Sequence, residues 1–223
     1  RLTAQRLLIE RGQKDVVPQL QALVKNTSVD AVGINGGAMH ALWTLKGLGE
    51  LDSPDSKTTS SHAVAVAALK HPAAGVRKAA AMVLPMTAAS ASAMLTANVL
   101  QDPDLHTRLA ATLVLAEMPE SAEVAQALYR ESQKTENYSD KWLSRAFYIA
   151  ALRHKTPFTT AYKADKTALP FDSLPVALRL GALKPDWRLP NAKEIAADWK
   201  DMQAPGNWES RGLPDFDGVV WFT

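Results

Sequence analysis

Three arginines and one aspartate carry most of the recurring polar chemistry in this chain. Arg77, Arg108 and Arg145 each stand seven residues ahead of a leucine (Leu84, Leu115 and Leu152), and Asp102 precedes Pro103 just upstream of the second. Guanidinium groups repeated in register have two uses. They can line a groove that grips phosphate through paired, charge-assisted hydrogen bonds. Alternatively, each can bond a carboxylate or carbonyl inside a stack of equivalent helices, forming a structural ladder of Asp102, Arg77, Arg108 and Arg145. The ladder is the favoured reading, because a position locked to a repeat is chosen first by packing.

Other reactive types are scattered. His40, His62, His71, His106 and His154 lie far apart, with no ligand spacing such as H-E-x-x-H. Stacking of repeats would bring His71 and His106 closer together, yet no metal site is expected. Neither a G-x-S-x-G elbow nor a Walker lysine occurs. Gly33, Gly36 and Gly37 precede a helix and could present N–H groups to an anion. No cation follows within reach, so a flexible helix entry is favoured. Absence of cysteine removes disulfides, thiolate nucleophiles and Cys-ligated zinc. No catalytic residue, metal or cofactor is assigned. Trp187, Trp199, Trp208 and Trp221 cluster near the C-terminal end, and aromatic faces suit the apolar faces of sugar rings. Trp208 and Trp221 are the candidates for sugar contact; the competing reading makes them a small core.

The elements that must position these residues follow from a repeat. The segment from His71 to Leu84 and that from Asp102 to Leu115 match in Pro, Arg, Ala, Val and Leu at a period of 31, the difference between 108 and 77. Self-similarity of this length indicates stacked helical units. Helices are predicted at about 1–12, 14–25, 38–49, 60–70, 73–86, 88–101, 104–118, 120–133, 139–154 and 157–164. Leu2, Leu7 and Leu8 are read as inward on the first, which Gly12 stops. Pro72, Pro103, Pro119 and Pro157 mark helix starts, with Asp102 and Thr156 as N-caps. Extending the frame across the chain pairs Arg1 with Leu8, Ala38 with Leu45, and Arg145 with Leu152. Ala4, Ala41, Ala80, Ala111 and Tyr148 then share one position. Asp102 is expected to accept hydrogen bonds from Arg108 or from the start of its own helix.

The pattern Val76-Arg77-x-x-Ala80-Ala81-x-x-Leu84, with the acidic lead-in Asp102-Pro103, resembles the second helix of HEAT repeats. That resemblance covers roughly residues 1–165 and implies an all-α, right-handed α-α superhelix. It also implies that matching Asp and Arg residues bond within and between repeats. Only Asp102 and Arg108 fill both halves of that pattern, since His71 and Ser139 replace the acid elsewhere. Residues 1–50, with Asn35-Gly36-Gly37-Ala38-Met39-His40, are similar to the HEAT segment of large multidomain bacterial proteins that carry a sorbosone-dehydrogenase-like propeller. The ending from Gly206 to Phe222 resembles the entry to the sugar-binding-like β-sandwich of family 2 glycoside hydrolases and sialate O-acetylesterases.

Three regions result: helical repeats at 1–164, a Pro/Trp-rich helical tail or linker at 165–205, and the first strand of a truncated β-sandwich at 206–223. A lone strand cannot satisfy its own ladder, so the rest of that sandwich is expected beyond Thr223. The start at Arg1 reads as that of a piece excised from a longer protein. A formal charge of +2 with no Lys/Arg block argues against nucleic acid and anionic lipid, and no apolar run is long enough to span a bilayer. The expectation is a non-catalytic scaffold or interaction module of a larger carbohydrate-related protein, periplasmic or secreted. Its partners would be other domains of the parent chain or another protein, with carbohydrate as a further ligand. The rival expectation is a HEAT-fold enzyme such as an alkylated-base DNA glycosylase, which needs a basic concave face.

Overall fold

The computed structural model describes residues 1–52 and 60–164. Among them every regular element is helical: α1 (Leu2–Arg11), α2 (Val17–Lys25), α3 (Gly36–Gly47), α4 (Ser60–Ala67), α5 (Ala74–Val83), α6 (Ala88–Thr96), α7 (Leu105–Glu117), α8 (Ala122–Ser132), α9 (Thr135–Tyr138), α10 (Lys141–Arg153) and α11 (Lys155–Ala164). Short 3-10 turns stand at Lys14–Val16, Ala68–Lys70 and Val99–Gln101. The described region is therefore all-α. The tail at 165–205, the strand at 206–223, and Trp208 and Trp221 with them, lie outside the described residues.

Two rows of helices account for the packing. In one, α1 packs on α3, α3 on α5, α5 on α7 and α7 on α10. In the other, α2 packs on α4, α4 on α6, α6 on α8 and α8 on α11. Contacts such as α2 with α3 and α8 with α10 join the rows. The core between them is made of leucines and alanines: Leu42, Leu45, Leu84, Leu115 and Leu128 are fully buried, as are Ala38, Ala80 and Ala111. Small residues at the contact let helix axes approach toward the short end of the usual separation of about 8–10 Å. Gly47 serves the same end, because Ile9 of α1 occupies the space where its Cβ would stand.

Helix starts differ from the sequence expectation. Pro72, Pro103 and Pro119 lie outside their helices, whose N-caps are Ala73, Asp104 and Ser121. Thr156 and Pro157 lie within the first turn of α11. Asp102 is thus not an N-cap. A residue before proline is driven to extended backbone, and His71 and Asp102 have ψ of 144° and 133°. The chain therefore runs extended through both prolines, and the helix begins two residues later. Gly12 does stop α1, with φ of 68°. That helix buries none of its residues: Leu2 and Leu7 point outward, and Ala4 is exposed, because α1 has a neighbour on one side only among the described helices.

The frame also slips by one residue at α10. Leu152 is 43 % exposed, whereas Ala151, Ala150, Phe147, Ala146 and Leu143 are buried. Ser144 therefore stands in the arginine place, and Phe147 rather than Tyr148 in the small-residue place. The short helix α9, which the repeat does not predict, stands directly before α10.

Candidate functional site

The polar residues of the repeat converge on the seams of the row containing α5, α7 and α10. Arg77 donates from Nε to Asp102 Oδ2 at 2.7 Å and from Nη2 to Asp102 Oδ1 at 2.8 Å. Its Nη1 donates to the carbonyls of His71 and Pro72 at 2.9 and 2.8 Å. Asp102 Oδ1 also accepts the Asp104 N–H at 2.9 Å. The Asp102 carboxylate is therefore held by Arg77 and by its own turn. Arg108 instead takes the Asp102 backbone carbonyl, from Nε at 3.0 Å and Nη2 at 2.9 Å. Asp102 thus accepts from Arg108 through its carbonyl and from the start of its own helix through its carboxylate, and that carboxylate also reaches across to Arg77 in the preceding repeat.

The next seam substitutes an amide for the acid. Arg108 Nη1 donates to Asn137 Oδ1 at 2.7 Å and to Glu136 Oε1 at 3.0 Å. Asn137 is fully buried and donates to the Glu131 carbonyl at 2.8 Å. Glu131 in turn accepts from Gln101 Nε2 at 2.7 Å and pairs with Lys134 at 2.8 Å. At the other end His71 fills the place of Asp102, 31 residues earlier. Its Nδ1 accepts the Ala73 N–H at 2.9 Å and its Nε2 donates to the Asn26 carbonyl at 3.0 Å. The partners select the tautomer, since one can only donate and the other only accept.

His154 makes a similar staple between α7, α8 and α10. Fully buried, it donates from Nε2 to the Leu115 carbonyl at 2.9 Å and accepts the Ser121 N–H on Nδ1 at 3.1 Å. Burial holds its imidazole below the ordinary value, against the opposing pull of the Leu115 bond. The hydrogen bonds it donates to Asp102 raise the Arg77 guanidinium above its usual range. Asp104 feels burial pushing its carboxyl up, but two hydrogen bonds from Thr107 outweigh this and hold it below the usual carboxylate value.

Chemically, this network spends its donors inside the fold. Arg77 and Arg108 each make four hydrogen bonds with a group that has five N–H donors. Arg145 belongs to neither seam: it is exposed, with its guanidinium 5.8 Å from the Trp142 ring centre. The glycine-bearing loop before α3 is tied down as well. Asn35 caps the Ala38 N–H at 2.9 Å and donates to the carbonyls of Asn26 and Ser28, while Asp30 accepts from Val32 and Ile34. Among the described residues no group of three or more His, Asp or Glu gathers where a metal ion could be held. Two shallow hollows, of about 240 and 340 Å³, open on the other row, the first beside Gln101 and Glu131 and the second beside Lys70 and Ser92.

His71 had a signal in the sequence, its 31-residue spacing from Asp102. Asn137, Glu131 and His154 had none, because they lie outside the two matching segments His71–Leu84 and Asp102–Leu115. The chain matches no family model, no curated protein and no solved structure. Among the described residues no helix is long and apolar enough to cross a membrane.

Proposed function

We propose that residues 1–164 form a right-handed, HEAT-like solenoid that acts as a non-catalytic scaffold or interaction module of a larger carbohydrate-related protein, periplasmic or secreted. One observation carries this reading: the recurring polar residues are consumed in joining one repeat to the next. Arg77, Asp102, Arg108, Asn137 and His71 spend their hydrogen-bonding capacity on the seams. A ladder of this kind sets the angle between successive helices and so gives a stiff spacer. Trp208 and Trp221 stay the proposed sugar contacts, and their Trp→Ala variants on a glycan array are the check on that part. The scaffold reading is tested by incubating the purified chain with alkylated-base DNA and with a panel of glycosides. The expected result is no turnover. Turnover abolished by one His, Asp or Glu substitution would replace the scaffold with an enzyme.

A further inference from the structure

The outward faces of the two rows differ in chemistry. The row of α2, α4, α6, α8 and α11 shows solvent mainly small or polar residues, among them Ala67, Ser92, Thr96, Gln126 and Thr160, with Leu23 as an exception. The row of α1, α3, α5, α7 and α10 places a large apolar residue at one repeated position. These residues are Leu7, Trp43, Met82, Leu113 and Ile149. Each stands directly before two residues that turn further inward: half-buried Leu8 and Ile9, and buried Thr44 and Leu45, Val83 and Leu84, Val114 and Leu115, and Ala150 and Ala151. Trp43 is half-buried, and the other four are 38 to 53 % exposed. Exposed apolar side chains scattered singly need no explanation, but a contiguous line of them marks a contact surface.

The helices carrying the line pack in order, α1 on α3, α3 on α5, α5 on α7 and α7 on α10. With packed helices about 8–10 Å apart, the line is a stripe with one apolar residue per helix. Its surroundings are positive. Lys78, Lys141 and Arg145 flank it, against two carboxylates on its five helices, Glu10 on α1, which pairs with Arg6, and Glu117 on α7. A chain in the polyproline II conformation advances about 3.1 Å per residue with about three residues per turn, so a step of one helix spans about three residues and brings every third side chain back to the same face.

From this geometry we infer that the stripe is a docking surface for an extended, acidic segment of a partner protein. That segment carries an apolar side chain at about every third position, with Asp or Glu between. Four of the five stripe residues, all but Trp43, are non-aromatic and suit an apolar side chain better than a nucleobase, which takes an aromatic platform. This inference rests on the scaffold reading and names the kind of partner the scaffold would hold.

The test uses the full chain and fluorescein-labelled peptides followed by anisotropy. The probe is five Leu-Glu-Ser repeats. Its controls replace Glu by Lys, replace Leu by Ser, or keep the composition with the leucines clustered. Saturable binding of the probe alone is expected, weakened at least tenfold by Leu113→Asp, Ile149→Asp or Arg145→Glu and unchanged by Ser92→Asp on the opposite row. Circular dichroism of each variant shows whether it stays folded; the three target positions are exposed, so folding should persist. No binding, equal binding of the lysine peptide, or indifference to the stripe variants overturns the inference. So does tighter binding of a labelled single-stranded oligonucleotide, or self-association in sedimentation velocity that Leu113→Asp abolishes, because the occupant is then a nucleic acid or a second copy. Each of these failures leaves the scaffold reading standing, whereas substrate turnover would remove the scaffold reading without touching the peptide result.

Discussion

Replacing Asp102 by alanine perturbs the seam at its most connected point. The carboxylate is 6 % exposed and accepts two hydrogen bonds from Arg77 and one from the Asp104 N–H. Breaking a buried ion pair by removing one partner costs about 3–5 kcal/mol. Arg77 keeps two carbonyl partners and its side chain is 14 % exposed, which places the loss at the low end. The stranded Asp104 N–H is counted within that loss, so the expected destabilisation is about 3 kcal/mol. In urea followed by circular dichroism, with a slope of about 2 kcal/mol per molar, the midpoint should fall by about 1.5 M. Double-mutant cycles sharpen the test. Asp102→Ala should couple to Arg77→Met by about 2 kcal/mol and to Arg108→Met by less than about 0.5 kcal/mol, because Arg108 binds a carbonyl that alanine retains. A loss below about 0.5 kcal/mol for Asp102→Ala, or stronger coupling to Arg108 than to Arg77, would refute the reasoning.

Asn137→Leu should cost about 2–3 kcal/mol despite its similar volume, since it strands one Arg108 donor and the Glu131 carbonyl in the interior; equilibrium unfolding measures it. Phe147→Ala should cost about 3–5 kcal/mol, while Leu152→Ser should change stability by no more than about 0.5 kcal/mol, an ordering that reverses if the sequence frame at α10 were right. For His154, burial depresses the folded pKa below 6.5, so its stabilising contribution is full above that value and is lost as pH falls through the folded pKa. Unfolding free energies from pH 7 to 5 should therefore decline more steeply in the parent chain than in His154→Gln. Gly47→Val should displace α1, because Ile9 already fills the space; faster hydrogen exchange confined to residues 2–11 is the expected readout.

Helical class, every described helix but α9 and most boundaries within a few residues were legible in the sequence, because the signals are local. Apolar residues recur with the period of a helix, Gly12 ends one, and the copy of His71–Leu84 at Asp102–Leu115 announces stacked units. Even the candidate ladder was partly visible: Arg77, Arg108 and Asp102 were singled out by register alone. What register could not supply was the partner of each group. Asp102 reaches back to Arg77 across a seam, a contact between residues 25 apart, while its carbonyl receives Arg108. Both pairings satisfy the same sequence pattern, and only the placement of helices in space separates them.

The frame at α10 shows the same division. From the sequence, Arg145 and Leu152 continue the repeat faithfully. The structure turns that helix by one residue, because burying Phe147, Ala150 and Ala151 against α7 outweighs keeping an arginine in line. Arg145 then faces solvent beside Trp142, and the seam it would have joined is closed by Asn137. Burial is a property of neighbours, and neighbours 30 or more residues away leave no mark on local periodicity. The sequence by itself therefore determined that this chain stacks helices; which side chains meet in the seams, and which line the outer face, was decided by the tertiary packing.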